Sequence, residues 1–151
     1  MEKITYSAPN SFEQLAPLLA SSFAQIDRYE DPADVDFEMA KRWTEKKLKT
    51  RWQEYQLAVI GGEIAGIFAL WDGEEMELDD LYVSEKFRRQ GVGRAIVQYC
   101  IRQADAAGKA LFLCVFKENI PALRLYHQMG FVFRQDVGTT RLILVHPAEK
   151  T

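Results

Sequence analysis

The chain has 151 residues, 48% of them hydrophobic and 27% charged, with a formal net charge of −3. That length suits one domain with a proper core. The slight excess of acid disfavours a nucleic-acid partner. No apolar run approaches the roughly 20 residues of a membrane span, and Met1 to Tyr6 lack the apolar stretch of a signal peptide.

Lys3 to Ser7 reads as a short first strand. Ser11 can cap a helix whose apolar stripe is Phe12, Leu15, Leu19 and Phe23; Pro17 inside that stripe should kink it or mark a late start. Asp27 to Asp36 is an acidic loop without periodicity. A second helix, about Phe37 to Arg51, turns Phe37, Ala40, Thr44 and Leu48 inward and shows a basic outer face. Gln56 to Ile60 and Ile64 to Trp71 read as strands joined at Gly61-Gly62, and Asp72-Gly73 leads into a strand over Glu75 to Val83.

That fourth strand changes phase. Met76 and Leu78 are apolar on even positions, Leu81 and Val83 on odd ones. Side chains alternate faces, so a regular strand cannot switch in this way. An extra residue at Asp79-Asp80 would return both halves to one face, which predicts a β-bulge there.

Arg88-Arg89-Gln90-Gly91-Val92-Gly93-Arg94 then forms a glycine-spaced loop that opens a helix over Val92 to about Ala107. Glycines let a ligand approach the backbone closely. A helix start offers unpaired N–H groups and a positive dipole end. Together with the arginines these features predict an anion site, best matched to a phosphate or pyrophosphate.

Gly108 is placed to end that helix. Leu111 to Phe116 is unbroken apolar, as in a strand buried on both faces. Asn119 can cap a short helix running through Met129 and stopped by Gly130. Phe131 to Gln135 and Thr140 to Val145 would make a last hairpin around Val137-Gly138. Cys100 and Cys114 sit inside apolar segments and read as reduced core thiols of a cytoplasmic protein. His127 and His146 have no ligand-like spacing, so no metal is expected.

The order strand, Arg88-x-x-Gly91-x-Gly93, helix, buried strand, then Asn119-x-x-Ala122-x-x-x-Tyr126-x-x-x-Gly130-Phe131 resembles the GNAT superfamily of acetyl-CoA-dependent N-acetyltransferases. The match is close over about Glu77 to Phe131, and the first half agrees only in element order. The resemblance implies a single α+β domain over residues 1–151. Its central mixed sheet would be mostly antiparallel with a splayed parallel pair, flanked by helices.

The resemblance further implies acetyl-CoA as cosubstrate, with Leu81, Tyr82, Val83, Arg88, Arg89, Gln90, Gly91, Val92, Gly93, Arg94, Asn119 and Tyr126 as its contacts. The loop would hold the pyrophosphate, and the Val83 N–H would polarise the acetyl carbonyl. A primary amine would attack directly in a ternary complex, and Tyr126 would protonate the departing thiolate. The base is open among Glu77, Asp79 and Asp80. Two acidic segments, residues 27–36 and 72–80, favour a cationic acceptor by steering. Acetyl-CoA and an amine are the expected partners, and a homodimer is compatible.

Other chemistries fit poorly. A nucleotide loop would need a Lys-Ser/Thr pair where Arg94-Ala95 stand. Cys114 as a hydrolase nucleophile would sit inert in its apolar run. The serious alternative is a GNAT module that binds acetyl-CoA without catalysis and signals to a partner.

Overall fold

The computed structural model describes residues 3–149. Among these residues the chain forms strands β1 (Thr5–Ser7), β2 (Tyr55–Ile60), β3 (Glu63–Trp71), β4 (Met76–Val83), β5 (Leu111–Phe116), β6 (Val132–Val137) and β7 (Arg141–His146), and helices α1 (Ala16–Tyr29), α2 (Phe37–Arg51), α3 (Val92–Ala106) and α4 (Ile120–Gln128). It is an α+β fold with one seven-stranded mixed sheet in the order β1-β2-β3-β4-β5-β7-β6. The pairs β1–β2, β2–β3, β5–β7 and β6–β7 are antiparallel, and β4–β5 is parallel.

Two compact units divide the chain. One holds residues up to Ala69 together with Asp80–Gly93, and the other Leu70–Asp79 with residues from Arg94 onward. β3, β4 and α3 each begin in one unit and end in the other.

In the first unit, Pro17 lies in the opening turn of α1, so the helix starts late, after a 3₁₀ turn over Phe12–Leu15. That position suits proline, whose missing N–H has no helical partner there. Leu15, Leu18 and Ile26 are the residues α1 and its preceding turn bury, where Leu19 and Phe23 were expected. α1 continues through Tyr29, three residues into the expected loop. Asp36 accepts a hydrogen bond from the Met39 N–H at 3.2 Å and so starts α2 at Phe37. Leu48 is the fully buried residue of α2.

In the second unit, α3 buries Ile96, Val97, Cys100, Ile101 and Ala104, an i, i+4 stripe that turns one face inward. Gly108 takes φ +68° just after the helix, the left-handed conformation a C-terminal stop calls for. β5 alternates instead of being buried throughout: Leu111, Leu113 and Val115 are inside, and Cys114 is exposed. An apolar composition hid a one-sided strand, so Cys100 is a core thiol and Cys114 is not. The last hairpin turns over residues 138–140, one step later than its composition suggests, because Val137 still pairs with Arg141. No helix of the described residues is long and apolar enough to cross a membrane.

Candidate active site

The glycine loop lies in the first unit. Ser84, just past β4, is pinned twice to β3: its N–H donates to the Ala65 carbonyl and its hydroxyl to the Ile64 carbonyl, each at 2.8 Å. A 3₁₀ turn over Glu85–Phe87 follows, anchored by the buried Phe87 ring. Arg88 Nε donates back to the Val83 carbonyl at 3.2 Å, and Gln90 Nε2 to the Lys86 carbonyl at 3.0 Å. The loop is thus held by its own side chains, with Arg88, Arg89, Gln90 and Gly91 exposed.

Its backbone is unusual where an anion would bind. Arg89 has φ +62° and Gly91 φ +81°. At Arg89 the left-handed conformation costs on the order of 1–2 kcal/mol, which glycine at 91 avoids. Nothing lies within 4 Å of where a Gly91 Cβ would stand, so that face of the loop is open. A Cβ on Gly93 would meet Val83 Cγ2 at 3.6 Å, ordinary contact. The protein's own packing therefore demands no glycine at 93. The N–H groups of α3's first turn follow at once, and the residues present fit a pyrophosphate.

Arg94 is engaged elsewhere than expected. Its Nη2 donates to Gln128 Oε1 at 2.8 Å, tying α3 to the last turn of α4. A pyrophosphate contact would have to share that guanidinium.

β4 carries the expected irregularity. Asp80 has φ +57°, so one residue of the strand is left-handed, at the place where the apolar phase changes between Leu78 and Leu81. Before it, the parallel register runs Met76↔Leu111 and Glu77↔Phe112. Asp79 Oδ2 accepts from Trp71 Nε1 at 3.1 Å. Asp80 Oδ2 accepts from the Tyr55 hydroxyl at 2.6 Å and faces Lys47 Nζ at 2.8 Å. Neither Lys47 nor Tyr55 stood out in the sequence. Lys47 lies in a row of basic residues that read as a solvated face, and Tyr55 precedes the expected start of its strand.

In the second unit, Asn119 Oδ1 accepts from the Ala122 N–H at 3.4 Å and caps α4. Tyr126 is buried, its ring edge-on to Phe131 with centroids 5.6 Å apart. Burial, with a smaller contribution from Cys100, pushes the Tyr126 phenol up to about 12. Burial alone pushes the Cys100 thiol up to about 12. Both groups are protonated and neutral near pH 7. Gly130 has φ +95°, and a Cβ there would press on the His146 ring at 3.3 Å, so glycine is needed where the chain leaves α4.

Much of the acidic charge is spent locally. Asp27 pairs with Lys41 at 2.8 Å, Asp31 closes its own turn on the Ala33 N–H, and Asp36 caps α2. Asp72 pairs with Lys109 at 2.6 Å, and Glu75 takes both Nη atoms of Arg134 at 2.7 and 2.6 Å. Each of these last two carboxyls is held below its ordinary range, chiefly by the hydrogen bond from its basic partner. On α2, Trp43 stands 66% exposed beside a cavity of about 450 Å³ lined by Trp43, Thr44, Lys46, Lys47 and Thr50.

The model of the acetyltransferase (GNAT) family matches residues 13–131, most of the chain. The chain belongs to the GNAT acetyltransferase family. A spermine/spermidine N(1)-acetyltransferase of Bacillus subtilis is 26% identical over 89 residues, 55% of this chain and 59% of that protein. A ribosomal protein bS18-alanine N-acetyltransferase of Escherichia coli is 31% identical over 94 residues, 59% of this chain and 64% of that one. The chain thus spans about six-tenths of the length of these relatives. In fold it is similar to a PaiA N-acetyltransferase from Thermoplasma acidophilum solved with coenzyme A, at TM-score 0.69 and 17% identity, covering 96% of this chain and 99% of that one.

Proposed function

We propose that this GNAT protein is an N-acetyltransferase moving acetyl from acetyl-CoA to a primary amine, and that residues 1–151 act as one domain. The observation that carries the reading is the open, left-handed Gly91 loop leading straight into α3. The strands and the helix that run through both units support a single domain.

Gly91, Val92 and Gly93 would hold the pyrophosphate through backbone N–H groups, with Arg88, Arg89, Gln90 and Arg94 supplying charge and cover. Leu81, Tyr82 and Val83 would offer backbone groups to the pantetheine arm, and the Val83 N–H would stabilise the oxyanion as it forms. Asn119 and Tyr126 take their proposed roles from the motif match. Direct attack forms the N–C bond and breaks the C–S bond. The ammonium proton leaves toward a base, and the thiolate receives one from Tyr126.

The base is one of Glu77, Asp79 and Asp80, which share one strand; Asp79 accepts an indole N–H, and Asp80 accepts a phenol O–H beside an ammonium. We also propose that the acceptor is cationic and the enzyme cytoplasmic. The first rests on the net charge of −3 and on the polyamine named for one relative. The second rests on two cysteines that no disulfide joins. Monomer and homodimer both agree with this reading.

The test is thiol release from acetyl-CoA with a panel holding polyamines, alanine-starting peptides and neutral or anionic amines. Release that depends on an amine supports the enzyme. Coenzyme A binding without release from any amine would favour the non-catalytic module. A cationic acceptor should lose kcat/KM steeply with added salt; a salt-independent preference for neutral amines would remove that part.

A further inference from the structure

Building on the acetyl-CoA reading, we propose that Lys47, Asp80 and Tyr55 form a clamp that sets the backbone orientation of Leu81–Val83. They would be positioning residues, outside the proton transfers. Asp80 is a non-glycine residue at φ +57° in the middle of a strand. Such a conformation persists only where the surroundings over-determine it. Here two partners converge on one carboxylate oxygen: the Tyr55 hydroxyl at 2.6 Å and Lys47 Nζ at 2.8 Å. Tyr55 is 1% exposed, so its hydroxyl is fixed from the core. Lys47 reaches in from α2, so a strand and a helix hold the same atom. The Asp80 side chain keeps only 15% of its exposure, and losing a partner would strand a shielded charge.

The consequence is directional. In a strand the N–H and C=O groups point by turns to one edge and the other. A left-handed residue at 80 therefore decides which edge receives those of Leu81, Tyr82 and Val83. Ser84 fixes the far end through the Ala65 and Ile64 carbonyls. The three residues proposed to meet the pantetheine arm are thus a short span pinned at both ends. The anchor at one end is a set of side chains up to 33 positions apart in sequence.

The experiment titrates coenzyme A calorimetrically into wild type, Asp80→Ala, Tyr55→Phe, Lys47→Met and Asp80→Asn, alongside amide exchange at residues 81–83 of the free proteins. Asp80→Ala and Tyr55→Phe should weaken coenzyme A binding by about tenfold, a loss of roughly 1.4 kcal/mol. They should also speed exchange at Leu81–Val83. Asp80→Asn still accepts from Tyr55 and tolerates the left-handed conformation, so it should restore most of the affinity and slow the exchange again. If Asp80→Ala does not fold, Tyr55→Phe and Lys47→Met decide. Wild type failing to bind coenzyme A would sink the acetyl-CoA reading and leave exchange to judge the clamp. Variants that melt lower yet bind and exchange as wild type does would overturn the clamp. So would an Asp80→Asn that binds normally but has lost turnover, since that marks a base.

Discussion

The glycine loop and the surroundings of Tyr126 are built on opposite principles. The loop, Arg88–Gly93, is mostly exposed, strained in its backbone, and meets its proposed ligand through main-chain N–H groups. Tyr126 is buried against Phe131, unstrained, and offers a single polar atom. Binding a doubly charged pyrophosphate needs many fixed donors that water can leave. Protonating a thiolate needs one group that stays neutral until it is used. The first task selects for backbone shape, the second for burial, and a substitution should reveal which it has struck.

The largest effect is expected at the loop. Gly91→Glu places a side chain on the open face and a carboxylate where an anion should sit. Calorimetry should find no measurable coenzyme A binding. The fold should survive by circular dichroism, with stability down by about 1–2 kcal/mol from the left-handed strain. Unchanged affinity would remove the loop from the site. Next comes Tyr126→Phe, which keeps the ring and its contact with Phe131. Coenzyme A affinity should hold while kcat falls by ~10²–10⁴-fold, the usual contribution of a positioned acid. Full turnover would make Tyr126 a packing residue and end the contrast between the two regions.

A smaller and slower effect should appear at high pH. The Tyr126 phenol and the Cys100 thiol are both pushed up to about 12, from ordinary values of 10 and 9. A raised folded value means that stability is fully present below the unfolded value and is lost as pH rises through the folded one. Urea midpoints should therefore hold steady to about pH 9 and fall toward pH 12, by up to about 1.4 kcal/mol per pH unit for each group. Cys100→Ala should flatten the early part of that fall and Tyr126→Phe the later part. The smallest effect belongs to Gly93→Ala. Its Cβ would meet Val83 Cγ2 at 3.6 Å, so folding and coenzyme A affinity should both change less than twofold. A large loss would show that the ligand comes closer to residue 93 than the protein does.

What could be read without coordinates was local. α2 was expected over the span it occupies because Phe37, Ala40, Thr44 and Leu48 recur at helical spacing; that Asp36 caps it emerged only from the structure. The left-handed residue at Asp80 was legible as an irregularity because alternation has a fixed period and Leu78 and Leu81 break it. The loop was legible because glycine at φ +81° has few substitutes. Long-range pairing left no such trace. Tyr55 and Asp80 lie 25 positions apart, and Arg94 and Gln128 lie 34 apart; nothing in either neighbourhood announces the partner. Cys114 was misplaced for a related reason. Composition counts apolar residues but does not say whether a sheet face is covered, and β5 leaves that thiol open.

The outer strand β6 has a bearing on solubility. It ends the sheet order, and Val132 and Phe133 stand 54% and 60% exposed on it. A flat, apolar strand in that place is a template for self-association. Here the register with β7 slips between Phe133 and Gln135, and the residue in the slip is Arg134, held bidentately by Glu75. The twist and the tethered charge interrupt the edge just past its greasiest pair. Asp136, paired with Lys117, sits two residues on. Charge and a register slip on an edge strand are the usual means of discouraging strand-to-strand stacking, so Arg134→Val should show turbidity at a lower protein concentration than the unmodified chain.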